Sequence, residues 1–481
     1  MKRTLLLSLA LLTLGLSSCN DFLEVVPQTE RTTVNFYNTA ADFNTALVGT
    51  YATFKSAGLY GNGAGSLIFM GEMSTDNTDY GFPRGTSVAA GYEIEDLNYS
   101  LSNTYFRDAW LGNYQGIARA NAILDHLPAV SFDATLKGQY DGEARFLRAM
   151  YYFNLVRLFG PVQLITTEIS DPYGTAATGR SPVSEVYALI ESDLQAAENT
   201  LPATIAAANQ GRASKWAAKA LLGKVYLTEK KYDLAGTKLK EIIDANVNSL
   251  MPNYADAFLL TTSFANNREV MLAVQYKGGQ ISQGGNFYSQ WTPFGANSPD
   301  FGVTNGSGDG LNRPTPDLIA AYEAGDTRKA ASIATSYKDA AGKVVNEPYP
   351  IKFRQTGIIR GESDVDYPVL RYADVLLMYA EALNEQGQTA AAAAPLNLVR
   401  TRAKLPNTTA TNQTAMRLAL ERERRVELAF ESQRWFDLVR TGRFVDVMTA
   451  QSKPAKPFNV LYPIPQRETD LNRSLEQNPG Y

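Results

Sequence analysis

A chain of 481 residues, 44% hydrophobic and 20% charged, is long enough for two or three average domains or one large helical domain and apolar enough to exclude wholesale disorder. Its net charge of −4, with acids and bases interleaved, offers no basic face for neutralising nucleic-acid phosphates. One cysteine, Cys19, and one histidine, His126, exclude an internal disulfide, a CxxC site and any multi-histidine metal centre.

The chain opens with an address. Lys2 and Arg3 precede an apolar run from Leu5 to Leu16 that is too short to cross a bilayer core as a helix, and Ser17-Ser18-Cys19 follows. This order of basic, apolar and small residues describes a secretory signal peptide. Leu16-Ser17-Ser18-Cys19 also resembles a bacterial lipobox, which makes residues 1–18 a leader and Cys19 the acylated first residue of the mature chain. The alternative is an ordinary signal with an incidental cysteine. No later apolar stretch is long enough to span, so the expected membrane attachment is the lipid alone.

Helical spacing of apolar residues then predicts helices over Phe43 to Phe54, Trp110 to Leu127 and Gly142 to Phe159, the last halted by Gly160-Pro161. His126, just ahead of Pro128, suits a helix C-terminus. Val183 to Thr200 follows, with Pro182 at its start and Pro202 past its end. From Ser214 to Ile243, Leu222, Gly223 and Tyr226 are followed by Ala235, Leu239 and Ile242, a pattern similar to the tetratricopeptide helix pair. Tyr379, Ala380 and Leu383, then Ala392, Leu396 and Val399, repeat it in the same register. A generic helical hairpin would explain one such match; two favour repeated helix pairs.

Two regions break the helical pattern: 58–109, and an insertion near 276–369 that is richest in Gly, Asn and aromatics over 276–315. Loops this long in a compact protein are usually functional or disordered, and their aromatic content argues against disorder. Trp110, Trp216 and Trp435 fall in helical patterns and are read as packing residues. Trp291 instead lies in a polar, Gly-rich loop beside Tyr288 and Phe294. A flat ring among hydrogen-bonding groups suits a sugar, whose C–H face packs on the ring while its hydroxyls find polar partners. The first loop region offers Tyr92 and Tyr99 alongside Asp76, Asn77, Asp79 and Arg84. Trp291 is accordingly expected on an exposed, ligand-facing loop with the 76–99 segment opposite. The plain alternative for each of these rings is that it staples a loop to the helices.

Catalytic signatures are missing from the sequence: it has no nucleophile elbow, phosphate-binding loop or HExxH. Glu72 and Asp76 share helical spacing, but their Gly and Ser neighbours do not promise a helix. Among 49 acidic residues, no pair can be picked out by sequence as a glycosidase dyad. The charge-dense stretch from Glu421 to Glu427 reads as ion pairs along a helix. No enzyme activity, cofactor or metal is expected, and no EF-hand spacing occurs.

Several blocks, spread over nearly the whole mature chain, resemble one family. They are Cys19-Asn-Asp-Phe-Leu-Glu-Val-Val-Pro27; Ala144-Arg-Phe-Leu-Arg-Ala149 with Tyr152-Phe153; Leu370-Arg-Tyr-Ala-Asp-Val-Leu-Leu-Met-Tyr-Ala-Glu-Ala382; Asn397-Leu-Val-Arg-Thr-Arg-Ala403; Arg424-Arg-Val-Glu-Leu-Ala-Phe-Glu431 leading to Arg434-Trp-Phe-Asp-Leu438; and Gln477-Asn-Pro-Gly-Tyr481. In this order they resemble the SusD/RagB nutrient-binding lipoproteins of Bacteroidetes. One departure is Gly160-Pro161-Val162, where many relatives place the Val before the Pro.

The resemblance implies a mostly α, SusD-like fold of tetratricopeptide-like helix pairs with long irregular ligand-binding loops, one domain over 19–481. It implies an outer-membrane, outward-facing location, an oligosaccharide ligand and a SusC-type TonB-dependent transporter as partner. By approximate loop position, Asp76 and Arg84 resemble polar sugar contacts, Tyr99 a stacking position and Trp291 the opposite side of an aromatic platform. Peptide capture, as in the RagB branch, is the alternative; an interaction scaffold and a surface glycoside hydrolase are less favoured.

Overall fold

The structure, a computed structural model, describes residues 36–61, 65–85, 88–169, 178–259, 267–279 and 283–481. The leader and Cys19 lie outside them. The first long helix, α1 (Ala40–Ala52), starts where the Thr39 hydroxyl accepts from the Asp42 amide while the Asp42 carboxylate accepts from the Thr39 amide. Helices α2 (Thr104–His126) and α3 (Ala134–Phe159) are capped by Asn103 and Asp133, and α3 ends at Gly160 with φ of +72°. Both start earlier than their apolar stripes suggest, because polar caps and first turns carry no such stripe. His126 closes α2, stacks on Tyr37 at 4.7 Å and places Nε2 2.8 Å from Glu168.

Next come α4 (Val183–Thr200), α5 (Lys215–Thr228) and α6 (Tyr232–Ala245). After the second loop region follow α7 (Tyr372–Glu385), α8 (Thr389–Arg402), α9 (Gln413–Glu427) and α10 (Arg434–Arg440). From α2 to α7 each helix packs on the next, and α7 also packs on α8 and α9. The two tetratricopeptide-like pairs are therefore α5–α6 and α7–α8. In the first, a Cβ on Gly223 would meet a Leu239 methyl at 2.7 Å, so the small residue sets how closely the helices approach. Ala235, Leu239, Ala380, Ala392, Leu396 and Val399 are all fully buried. Among the described residues no helix is long and apolar enough to cross a membrane.

Strands among the described residues occur only as two-stranded pairs. Two pairs matter for function: β1 (Thr78–Asp79) runs antiparallel to β3 (Arg313–Pro314), and β2 (Val270–Val274) antiparallel to β4 (Tyr367–Arg371). The first joins the two loop regions directly.

The Glu421–Glu427 stretch does lie on a helix, yet its charges are spent across the fold instead of along the helix. Glu427 pairs with Arg402 at 2.6 Å, Arg328 at 3.0 Å and Arg371 at 3.1 Å. Arg371 also reaches Glu269 at 2.6 Å and Glu431 at 2.7 Å, and Glu431 binds Lys352. Arg328 engages Asp326 and Glu423, and Glu423 engages Arg400. All ten groups are buried. Five cations thus balance five carboxylates, which is the condition for a buried ionic cluster to be tolerated. Burial alone would raise the Glu427 carboxyl, but Arg402, Arg371 and Arg328 outweigh it and hold the group well below its ordinary 4.5. Nearby, Lys224 and Arg424 hold Asp374 below its ordinary 3.8 in the same way.

The sign of the pH effect follows. Both folded-state values lie below those of the unfolded chain, so the ionised forms stabilise the fold. That contribution is complete above the unfolded values of 4.5 and 3.8 and is lost as pH falls through and below them. Calorimetric melts should show the midpoint falling steeply below about pH 4. Glu427→Gln should cost about 3–5 kcal/mol at pH 7, because three guanidinium groups lose their shared partner. A Glu427→Gln melt at the wild-type midpoint would contradict this account.

Candidate ligand-binding face

The first loop region is built on a helical segment, Ser66–Ile68 continuing into a wide turn over Phe69–Met73, although its Gly and Ser residues promised none. This segment presses against the chain after α9: a Cβ on Gly71 would meet the Ser432 carbonyl oxygen at 2.6 Å. Glu72 is fully buried, and its carboxylate accepts from the Phe430 amide (3.0 Å), the Ser432 amide (3.1 Å) and Asn77 Nδ2 (2.8 Å). Burial nevertheless pushes its pKa up to about 7.

Asp76 is likewise consumed within the fold. Arg434 grips it with two bonds of 2.8 Å, and Arg425 adds a contact at 3.0 Å. Its backbone carbonyl accepts from the Thr315 hydroxyl at 2.7 Å, and the Asn77 carbonyl accepts from the Thr315 amide. This clamp delivers Thr78 and Asp79 to β3, in the register Thr78↔Pro314 and Asp79↔Arg313. The expectation that Asp76 contacts ligand is therefore corrected: the residue is 4% exposed and both carboxylate oxygens are occupied.

Beyond β1 the chain turns outward. Tyr80 lies flat over Gly91, where a Cβ would come within 2.7 Å of its ring. The Tyr92 hydroxyl donates to the paired carbonyl oxygens of Tyr80 (3.0 Å) and Phe82, fixing the Phe82 backbone. Arg84 lies 4.0 Å over the Tyr92 ring and holds Asp96 with bonds of 2.8 and 3.0 Å. From the second loop region Phe294, 42% exposed, meets the Phe82 ring edge-on at 4.3 Å. The approach requires glycine at two positions: a Cβ on Gly81 would meet the Gly310 carbonyl oxygen at 2.5 Å, and Gly310 adopts a φ of +67° with Phe294 only 3.1 Å from where its Cβ would stand.

Three ion pairs stand around these rings: Arg84–Asp96, Arg313–Asp79 at 2.7 Å and Arg360–Asp309. The two loop regions thus converge as expected, with Phe294, Phe82, Tyr92 and Arg84 on one partly exposed face. Such a face offers apolar rings bordered by hydrogen-bonding groups.

The other expected rings do not reach it. Trp291 is 2% exposed, closing a short helix, Phe287–Trp291, whose inward side packs it on Phe287, Phe353 and Phe430. Tyr288, on the same turn, is buried in a separate cluster with Phe301, Tyr337 and Tyr349. Tyr99 is buried against Phe106, Tyr462 and Tyr481. All three are staples, the plain reading of such rings. Phe82 and Arg313 went unread. The sequence signal for Phe82 was Gly-Phe-Pro-Arg, a ring ahead of a proline that cannot continue a ladder.

Comparison with known proteins decides the family. Residues 345–481 match the SusD family model, and residues 21–227 match a model described as starch-binding and associating with the outer membrane. A laminarin-binding SusD-like protein of solved structure is 30% identical, with a TM-score of 0.80 over 92% of this chain and 100% of its own. The chain belongs to the SusD family. Among the family's members, SusD-like protein P2 of Formosa agariphila is 29% identical over 98% of each chain. The starch-binding protein SusD of Bacteroides thetaiotaomicron is 25% identical over 98% of this chain and 97% of its own. The SusD-like fold, mostly helical with long irregular loops, is what the structure shows.

Two substitutions separate the staples from the face. Trp291→Ala should destabilise the SusD-family fold by about 3–5 kcal/mol in chemical denaturation. Asp76→Asn, which strips the charge opposing two guanidinium groups, should cost a comparable amount. Wild-type stability in either variant would show that the residue is free for ligand after all.

Proposed function

We propose that this SusD-family chain is a lipid-anchored, outward-facing glycan-binding protein. It captures an oligosaccharide on the Phe82–Phe294 face and passes it to a SusC-type TonB-dependent transporter. The observation that carries this reading is the face itself. Its partly exposed rings can take the C–H side of a pyranose, while Arg84, Asp96, Arg313 and Asp79 can meet its hydroxyls. The similarity to a laminarin-binding SusD-like protein and to a starch-binding SusD supports a glucan or related polymer as ligand.

The same carboxylates favour capture over hydrolysis. A glycosidase needs a carboxyl group with a raised pKa to protonate the leaving oxygen. Here the hydrogen bond from Arg84 holds the Asp96 carboxyl below its ordinary range.

Titration calorimetry of the mature chain against laminarin, starch and their oligosaccharides tests the reading, with a peptide panel beside it. Phe294→Ala and Phe82→Ala should each weaken glycan binding about 5- to 30-fold, the value of roughly 1–2 kcal/mol for one ring contact. Phe294→Ala should leave the melting midpoint unchanged. Binding of peptides alone, or undiminished glycan affinity in both variants, would overturn the proposal. The anchor has its own test: Cys19→Ala should abolish lipid labelling and release the protein from membranes isolated without the transporter. Continued retention would mean another attachment exists.

A further inference from the structure

A cavity of about 270 Å³ lies between the end of α3, the start of α4, and α5, α7 and α10. Its walls are mostly apolar and include Val156, Leu227, Met378 and Trp435. One charged group in the wall has no counter-ion. The Arg157 guanidinium is sandwiched between the rings of Phe153 at 3.8 Å and Phe436 at 3.9 Å. It donates to the Phe153 carbonyl and to Asn154 Oδ1, both at 3.0 Å. These are neutral acceptors, and no carboxylate among the described residues forms an ion pair with it.

The other cations that line the cavity are matched. Lys224 pairs with Asp374 at 2.9 Å; Arg424 pairs with Asp374 at 2.7 Å and Asp437 at 2.8 Å; Arg440 pairs with Asp437 at 2.8 Å and with Glu381. Four cations thus meet three carboxylates, and the surplus positive charge belongs to Arg157. Burial acts on that surplus, pushing the Arg157 pKa down to about 10. Trp435, also in the wall, is fully buried. A partly buried charge without a counter-ion is unfavourable. By contrast, the ionic cluster around Glu427 is balanced.

We propose that this cavity is a second ligand site, separate from the glycan face, for a small apolar carboxylate. The carboxylate pairs with Arg157, and the hydrocarbon part lies on the Val156, Leu227, Met378 and Trp435 walls. The anion supplies the missing negative charge, and the apolar lining selects against a purely hydrated one.

The test uses benzoate as probe on the mature chain, with inorganic phosphate as charge without hydrocarbon and benzyl alcohol as ring without charge. Benzoate should give a saturable calorimetric signal, raise the melting midpoint and perturb tryptophan fluorescence through Trp435. Phosphate and benzyl alcohol should do so much more weakly. Arg157→Met should weaken benzoate binding at least about tenfold, the value of one lost charge-assisted contact. Phe294→Ala should leave benzoate binding untouched, which keeps this site distinguishable from the glycan face. Should Arg157→Met fail to fold, Leu227→Trp, which fills the cavity and leaves the charge in place, should block benzoate instead. Absence of saturable benzoate binding to the wild-type chain would overturn the proposal, as would phosphate or benzyl alcohol binding equally well.

Discussion

Two loop regions far apart in sequence can present one surface only if a rigid element holds both, and here that element is the Asp76 clamp. Arg434 and Arg425 seize the Asp76 carboxylate, while Thr315 binds the backbone of Asp76 and Asn77. The next two residues pair with Arg313 and Pro314, and three residues later Phe82 meets Phe294. Glu72 reinforces the clamp from the other side by accepting the Phe430 and Ser432 amides. A bidentate guanidinium–carboxylate pair in a buried site fixes orientation as well as distance, which a hydrophobic contact would not. The face is thus aligned by Glu72, Asp76 and Arg434, which are themselves buried away from it.

The clamp in turn rests on the Arg424–Leu438 block, which serves three ionic systems at once. Arg425 and Arg434 face Asp76; Arg424 links Asp374 to Asp437; Glu427 and Glu431 face Arg371, Arg402 and Lys352. Partners for this one short stretch come from the segment before β1, the second loop region, β4, α7 and α8. Buried ion pairs of this kind add little net stability compared with apolar packing, but removing one partner is severe. The block therefore ties distant segments into one register and leaves little tolerance for losing a charge.

The helical frame was legible because its signals are local: apolar spacing, caps, and small residues at matching positions such as Gly223 and Ala235 or Ala380 and Ala392. The reading of Glu421–Glu427 went astray for the opposite reason. Spacing along a helix proposes i,i+4 partners, whereas the real partners, such as Asp76 and Arg371, are remote in sequence. Arg84, Tyr92 and Phe294, which share the partly exposed face, lie in loop regions recognisable by composition. Trp291, Tyr288 and Tyr99 could not be told from them, since a five-residue helix such as Phe287–Trp291 is too short to show a period. Whether a ring in such a loop faces water or core depends on Phe353, Phe430 or Tyr462, none of them near it in sequence. Glycine carried information of a similar hidden kind: Gly71, Gly91 and Gly310 mark close approaches, visible only once the opposing chain is known.

The central claim is that oligosaccharide binds where the two loop regions meet, on a face held in place by the fold. Hydrogen–deuterium exchange of the mature chain, with and without a saturating oligosaccharide ligand, addresses it directly. The account predicts new protection in the backbone around 79–96 and 292–313, with no change across the tetratricopeptide-like pairs α5–α6 and α7–α8. Protection concentrated on those helix pairs, with the Phe82 and Phe294 loops exchanging as in the free protein, would contradict it.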